Sequence, residues 1–105
     1  MIVDVDAPVT AELKALAEPL RWRILQLLGD EELCVCHLVE ELDVPQPLVS
    51  HHLKVLRDAG LVESSRFRYW TYYRLRTAAL ADAGRTLLRL ADLAPAASDR
   101  RRPCC

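Results

Sequence analysis

Residues 43 to 62, Asp43-Val44-Pro45-Gln46-Pro47-Leu48-Val49-Ser50-His51-His52-Leu53-Lys54-Val55-Leu56-Arg57-Asp58-Ala59-Gly60-Leu61-Val62, decide the fold. Asp43-Val44-Pro45 reads as a tight turn. Val49, His52, Leu53 and Leu56 then share one face of a helix that Gly60 is placed to stop. Just upstream, Asp30, Glu31 and Glu32 put negative charge where a helix N-terminus favours it. Val35, Leu38, Val39 and Leu42 give that segment, roughly residues 32 to 42, its own apolar face. Two short helices joined by a tight turn form a helix-turn-helix candidate.

Working outward from this pair, a first helix is expected from Thr10 as N-cap to about Glu18, after a loose lead-in over residues 1 to 8. Pro19 suits the first turn of a second helix, with Leu20, Ile24, Leu27 and Leu28 on one face and Gly29 at its end. Beyond Gly60 the pattern changes. Leu61 to Glu63 and Tyr69 to Leu75 are rich in aromatic and β-branched residues and flank the polar, basic Ser64 to Arg68, which predicts a β-hairpin. A last helix from about Thr77 to Leu93 carries a seam of Leu80, Ala83, Gly84, Leu87, Leu90 and Ala91, long enough to serve as a dimer helix. The fold class expected is mainly α with a small β-hairpin. Residues 1–94 read as one DNA-binding and dimerisation domain, and residues 95–105 as a flexible tail ending in a cysteine pair.

A chain of 105 residues, 51% hydrophobic and 28% charged, has room for one modest core and gains burial by pairing with a second copy. No apolar run approaches the roughly 18 residues of a membrane span and no secretory leader is visible, so a cytoplasmic protein is expected, with no membrane partner. The formal net charge is −1, but it is unevenly distributed: residues 44–76 hold six Lys and Arg against two Asp and Glu. Phosphate affinity follows the field at the contacting face, so the acidic first third does not exclude DNA.

In a helix-turn-helix, residues at the start of the second helix reach base edges. Here these are Gln46, Leu48, Val49, Ser50 and His51. Gln46 has the donor and acceptor pair that matches adenine. Lys54 and Arg57 lie where phosphates pass, and Arg66 and Arg68 at the hairpin tip extend that contact. The competing reading is a solvated charged face. His52, on the apolar side, reads as a packed histidine.

The four cysteines fall as a Cys34-x-Cys36 pair and a terminal Cys104-Cys105 pair. Without an export signal they read as reactive or ligating thiols rather than a disulfide framework. Thiolates select soft ions. In a regular helix Cys34 and Cys36 would stand about 200° apart around the axis, so sharing an ion would require the first turn to unwind. Two thiols leave a soft ion short of a full shell. Cys104 and Cys105, on a tail able to span about 35 Å, are candidates to complete it. The bland alternatives are a packed Cys34, an incidental terminal pair and a solvated His37.

At this point the chain resembles the ArsR/SmtB family of metal- and metalloid-responsive transcriptional repressors over about residues 10 to 93. Leu33-Cys34-Val35-Cys36-His37-Leu38 is similar to the family's ELCVCDL metal box, and Gln46 to Val62 and Trp70 to Leu75 follow its helix and hairpin. The resemblance implies a winged-helix homodimer joined through its first and last helices, with Leu13, Leu16, Leu80, Leu87 and Leu90 at the interface. It further implies repression at an inverted-repeat operator and release by As(III) or Sb(III), with Cd(II), Pb(II) or Zn(II) as alternative inducers. Three departures stand out. Val39 occupies the place of a frequent third cysteine, His37 replaces the box aspartate, and Arg66 to Arg68 stand where the wing turn usually has a glycine, which predicts a longer or frayed loop.

Two other readings compete with this one. On the same scaffold, Cys34/Cys36 or Cys104/Cys105 would form a labile disulfide and make the chain a redox repressor. A small thiol oxidoreductase or metal carrier is the other, but the sequence has no C-x-x-C in a βαβ frame and no acid–base constellation, and no enzyme is expected.

Overall fold

The computed structural model describes residues 7–95 and 101–104. In chain order the elements are helices α1 (Ala7–Leu16) and α2 (Pro19–Leu28), strand β1 (Leu33–Cys34), helices α3 (Val35–Leu42) and α4 (Gln46–Asp58), strands β2 (Val62–Phe67) and β3 (Trp70–Leu75), and helix α5 (Thr77–Leu93). This is the mainly α fold with a hairpin wing that the sequence predicts. The expectation of a flexible tail falls largely outside the described residues, as do Cys105 and most of the lead-in.

Three boundaries differ from expectation. Helix α1 begins at Ala7, because Pro8 sits in the first turn, where a missing N–H costs nothing. It ends at Leu16, and Glu18 instead caps α2, its Oε1 accepting from the Leu20 N–H at 2.6 Å. Residues 33 and 34, expected at the start of a helix, are a short strand that pairs antiparallel with β3.

One core holds these elements. Ile24, Leu25 and Leu28 from α2, Leu38 from α3, and Val49, Leu53 and Leu56 from α4 are buried together with Leu33, Leu61 and Val62. Helix α4 ends in a Schellman arrangement: the Leu61 N–H reaches the Leu56 carbonyl at 3.0 Å and the Gly60 N–H reaches Arg57 at 2.9 Å. Gly60 has φ +80°, a conformation in which a Cβ is strained. The αL turn sends the chain straight into β2.

The hairpin is tighter than its basic run suggests. Register pairs run from Val62 with Leu75 out to Phe67 with Trp70, leaving a two-residue turn of Arg68 and Tyr69. Arg68 adopts φ +58°, filling with an arginine the left-handed position that glycine usually takes. The loop is therefore neither long nor frayed. Because β1 adds to the other side of β3, the wing is a three-stranded sheet in the order β1-β3-β2.

A polar joint fixes α4 on the body. His52 is buried, and the Arg21 guanidinium donates to its Nδ1 at 3.1 Å. Arg21 also donates from Nε to the Ala15 carbonyl at 2.7 Å, at the end of α1. Nε2 of His52 stands 3.1 Å from Oε2 of Glu18, off the direction of a hydrogen bond. His52 is thus the packed interhelical histidine that the sequence indicates.

This packing makes two quantities measurable. Gly60→Ala should cost about 1–2 kcal/mol in denaturant unfolding, since alanine must hold a left-handed φ; an unchanged midpoint would show that the turn relaxes freely. Burial holds the His52 imidazole below its ordinary value; Glu18 works against this, while Arg21 and His51 add to it. The neutral ring is the folded form. Its contribution is complete above the unfolded-state value near 6.5 and is lost as pH falls through the lower folded value. Melting temperature should therefore drop between pH 7 and pH 5 more steeply in the parent protein than in His52→Gln. Identical slopes would show that His52 plays no part in the acid sensitivity.

Candidate thiol site and nucleic-acid interface

Cys34 belongs to two elements. As the second residue of β1 it pairs with Tyr72, and with φ −93° and ψ 170° it is also the N-cap of α3. Cys36 follows at the second helical position. Because Cys34 is extended and not helical, the two side chains turn toward each other and their sulfurs stand 2.7 Å apart. The expected 200° separation and unwinding of the turn are thereby corrected: the strand-to-helix junction brings the pair together without melting the helix.

His37 joins them. Its Nδ1 accepts from the Cys34 backbone N–H at 3.1 Å and lies 3.3 Å from the Cys34 sulfur. This is a capping-box geometry with cysteine and histidine in place of the usual serine and glutamate. Leu33 before the cap and Leu38 at the fourth helical position are both buried in the core, a hydrophobic staple that fixes the entry of the chain. His37 is exposed, as expected from sequence, but its ring turns back onto the Cys34 cap, a contact the sequence reading did not anticipate. The signal that could have found it is its place three residues after the cap.

One ligand atom from each of Cys34, Cys36 and His37 lies within 4.8 Å of the others, with Cys34 buried and the other two exposed. Burial pushes the Cys34 thiol up, but hydrogen bonds from Cys36 and from the backbone N–H groups at the start of α3 outweigh it, and the thiol titrates below its ordinary value. Cys36 is raised, first because it donates to Cys34, then by burial and by the neighbouring negative charge. Of the two, Cys34 gives up its proton first. Two sulfurs and an imidazole nitrogen suit a soft, thiophilic ion, and the match is to a thiol-based As(III) or Sb(III) sensing site. Cys104 is exposed and does not enter this cluster, and Cys105 lies outside the described residues.

Of the residues expected at DNA, Gln46, Leu48, Ser50, His51, Lys54 and Arg57 are exposed on α4, and Arg66 and Arg68 are exposed on the wing. Val49 is corrected. It is 0% exposed, because it lies on the same helical face as Leu53 and Leu56 and fills the core. Lys54 is paired with Asp58 at 2.8 Å and must exchange that partner to meet a phosphate.

The residues expected at a dimer interface divide. Leu16 and Leu80 are half-buried against the protomer's own core, and Leu13 is half-buried. Leu87 and Leu90 are exposed on α5, as are Leu88 and Leu93.

Comparison with known proteins agrees with this geometry. Residues 18–64 match the family described as "Bacterial regulatory protein, arsR family". An uncharacterized HTH-type transcriptional regulator of Methanocaldococcus jannaschii is 36% identical over 80 residues, covering 75% of this chain and 85% of that protein. An arsenical resistance operon repressor of Staphylococcus aureus is 41% identical over 70 residues, covering 67% of each. The solution structure of a homodimeric winged helix-turn-helix DNA-binding domain from Mycobacterium bovis, a possible ArsR-family regulator, superimposes with a TM-score of 0.69 at 29% identity, covering 87% of this chain and 88% of that one. The chain spans about half the length of several other curated relatives. Among the described residues no helix is long and apolar enough to cross a membrane. With helix-turn-helix, wing and thiol box all in register, the chain belongs to the ArsR/SmtB family of helix-turn-helix transcriptional regulators.

Proposed function

We propose that this protein is a cytoplasmic, homodimeric transcriptional repressor that holds an inverted-repeat operator and releases it when As(III) or Sb(III) binds Cys34 and Cys36. The observation that carries this reading is the 2.7 Å approach of the two sulfurs at the N-terminus of α3. Family membership supports a DNA-binding regulator over a thiol oxidoreductase. The homodimeric relative and the exposed leucines of α5 support pairing.

Gln46, Leu48, Ser50 and His51 read the major groove, while Lys54, Arg57, Arg66 and Arg68 meet phosphates. His37, or a tail thiol from Cys104 or Cys105, supplies the third ligand. Cd(II), Pb(II) or Zn(II) on the same ligands is the alternative inducer class, and oxidation of the close thiol pair is a second way to the same release.

Fluorescence anisotropy of the reduced protein on its own promoter DNA, titrated with arsenite and in parallel with cadmium and zinc, tests the reading. Cys34→Ser and Cys36→Ser should bind DNA as the parent does and lose release by arsenite. Loss of DNA binding itself would make the cysteines structural. In the same titration, Cys104→Ser with Cys105→Ser should raise the arsenite needed if the tail completes the shell; an unchanged dose curve would assign that place to His37. Arg66→Ala with Arg68→Ala should weaken DNA binding across sequences and lower the salt slope by about two, as two fewer neutralised phosphates require. An unaltered slope would place the wing off the backbone.

A further inference from the structure

The thiol cluster is built onto the wing. Cys34 pairs in register with Tyr72 on β3, so a residue that holds the inducer is also a rung of the sheet that carries the DNA-facing tip. Side chains continue the connection. The His37 ring centroid is 6.2 Å from that of Tyr72, and Tyr72 meets Phe67 edge-on at 6.4 Å. The Arg68 guanidinium lies over the Phe67 ring at 5.4 Å from its centroid. From the ligating imidazole to the arginine at the tip there are two intervening side chains, Tyr72 and Phe67.

These contacts are built to change when the site fills. An ion held by both sulfurs replaces the hydrogen bond between Cys36 and Cys34, so both side chains must reorient. For His37 to offer Nδ1 to the ion it must also give up the bond from the Cys34 N–H, which turns the ring that faces Tyr72. Tyr72 has somewhere to go: with Phe67, Glu32, Ser65 and Arg66 it lines an open groove of about 420 Å³ on the outer face of the sheet.

We propose that Tyr72 is a positioning residue that carries occupancy of the thiol cluster through Phe67 to Arg68, so that the inducer loosens the wing's hold on DNA. The inference rests on the thiol-sensing reading above and adds its route. The cluster-bound and cluster-free states are the two arrangements that both ends of the route sense.

The test uses the full chain carrying Trp22→Phe, which leaves Trp70, beside the tip, as the one remaining tryptophan of two. Three quantities are read during arsenite titration: near-ultraviolet thiolate-to-arsenic absorption, Trp70 emission and anisotropy of bound promoter DNA. In the parent background all three should change together. With Tyr72→Ala the absorption should be retained while the Trp70 response disappears and half-release requires about tenfold more arsenite. Tyr72→Phe, which keeps the ring, should behave as the parent. Phe67→Ala, at an exposed position outside the sensor, should reproduce the Tyr72→Ala result and decides the matter if Tyr72→Ala does not fold. Half-release at the parent's arsenite concentration in Tyr72→Ala or Phe67→Ala overturns the route and leaves the sensor intact. Absence of the absorption band in the parent overturns the sensing reading and the route with it.

Discussion

Cys34 is held in an extended conformation by the sheet and is at the same time the residue on which α3 begins, and the sensing chemistry depends on that double role. Were Cys34 itself helical, its side chain would stand about 200° around the axis from that of Cys36. At the strand-to-helix junction it faces Cys36 directly, and the N–H groups of the first turn stabilise its thiolate form. The staple of Leu33 and Leu38 holds the junction from the core side, so the geometry of the pair is set by apolar packing and not by the sulfurs themselves.

Magnitudes indicate where such a site has room to yield. Helices α3 and α4 share Leu38, Val49, Leu53 and Leu56, and each such side chain contributes about 1.5–3 kcal/mol when removed from water. The His52 joint ties α4 in turn to the start of α2 and the end of α1, so the helices form one stiff body. The outer face of the wing is held by much less. Arg74 links Glu63 at 3.3 Å and Glu32 at 3.9 Å, exposed pairs of a kind that contribute at most about 1 kcal/mol each. The wing is therefore the softer of the two neighbours of the sulfurs.

Helix periodicity is legible over most of the chain because α2, α4 and α5 each present apolar residues at helical spacing to a core they share. It fails at Leu33-Cys34, where two residues are too few to display the alternation of a strand and where β3, nearly forty positions away, imposes the extended state. Both misreadings of the thiol cluster trace to that one segment: the separation of the sulfurs, and the missed contact of His37 with the Cys34 cap. Val49 is misassigned for the opposite reason. Position along a recognition helix suggests base contact, while the rotation of the helix decides which side chains are available for it, and Val49 turns inward. The tight wing turn is hidden by Arg68, an arginine in a backbone conformation that sequence rules reserve for glycine.

The location of the sensor bears on how release can work. Helix α5 packs on α1, whereas the thiol cluster sits where β1 meets α3, against β3. Two-fold operators require their recognition helices about one helical turn of DNA apart, and that spacing is set by the surface through which the copies pair. Leu87, Leu88, Leu90 and Leu93 of α5 are from 49% to 74% exposed, and none of them belongs to the thiol cluster. An inducer at Cys34 and Cys36 therefore has no need to part the dimer. On the proposed route, altering the reach of each wing while the pairing surface stays closed is enough to break the match to both half-sites at once, because two-fold symmetry repeats at one wing whatever contact the other loses.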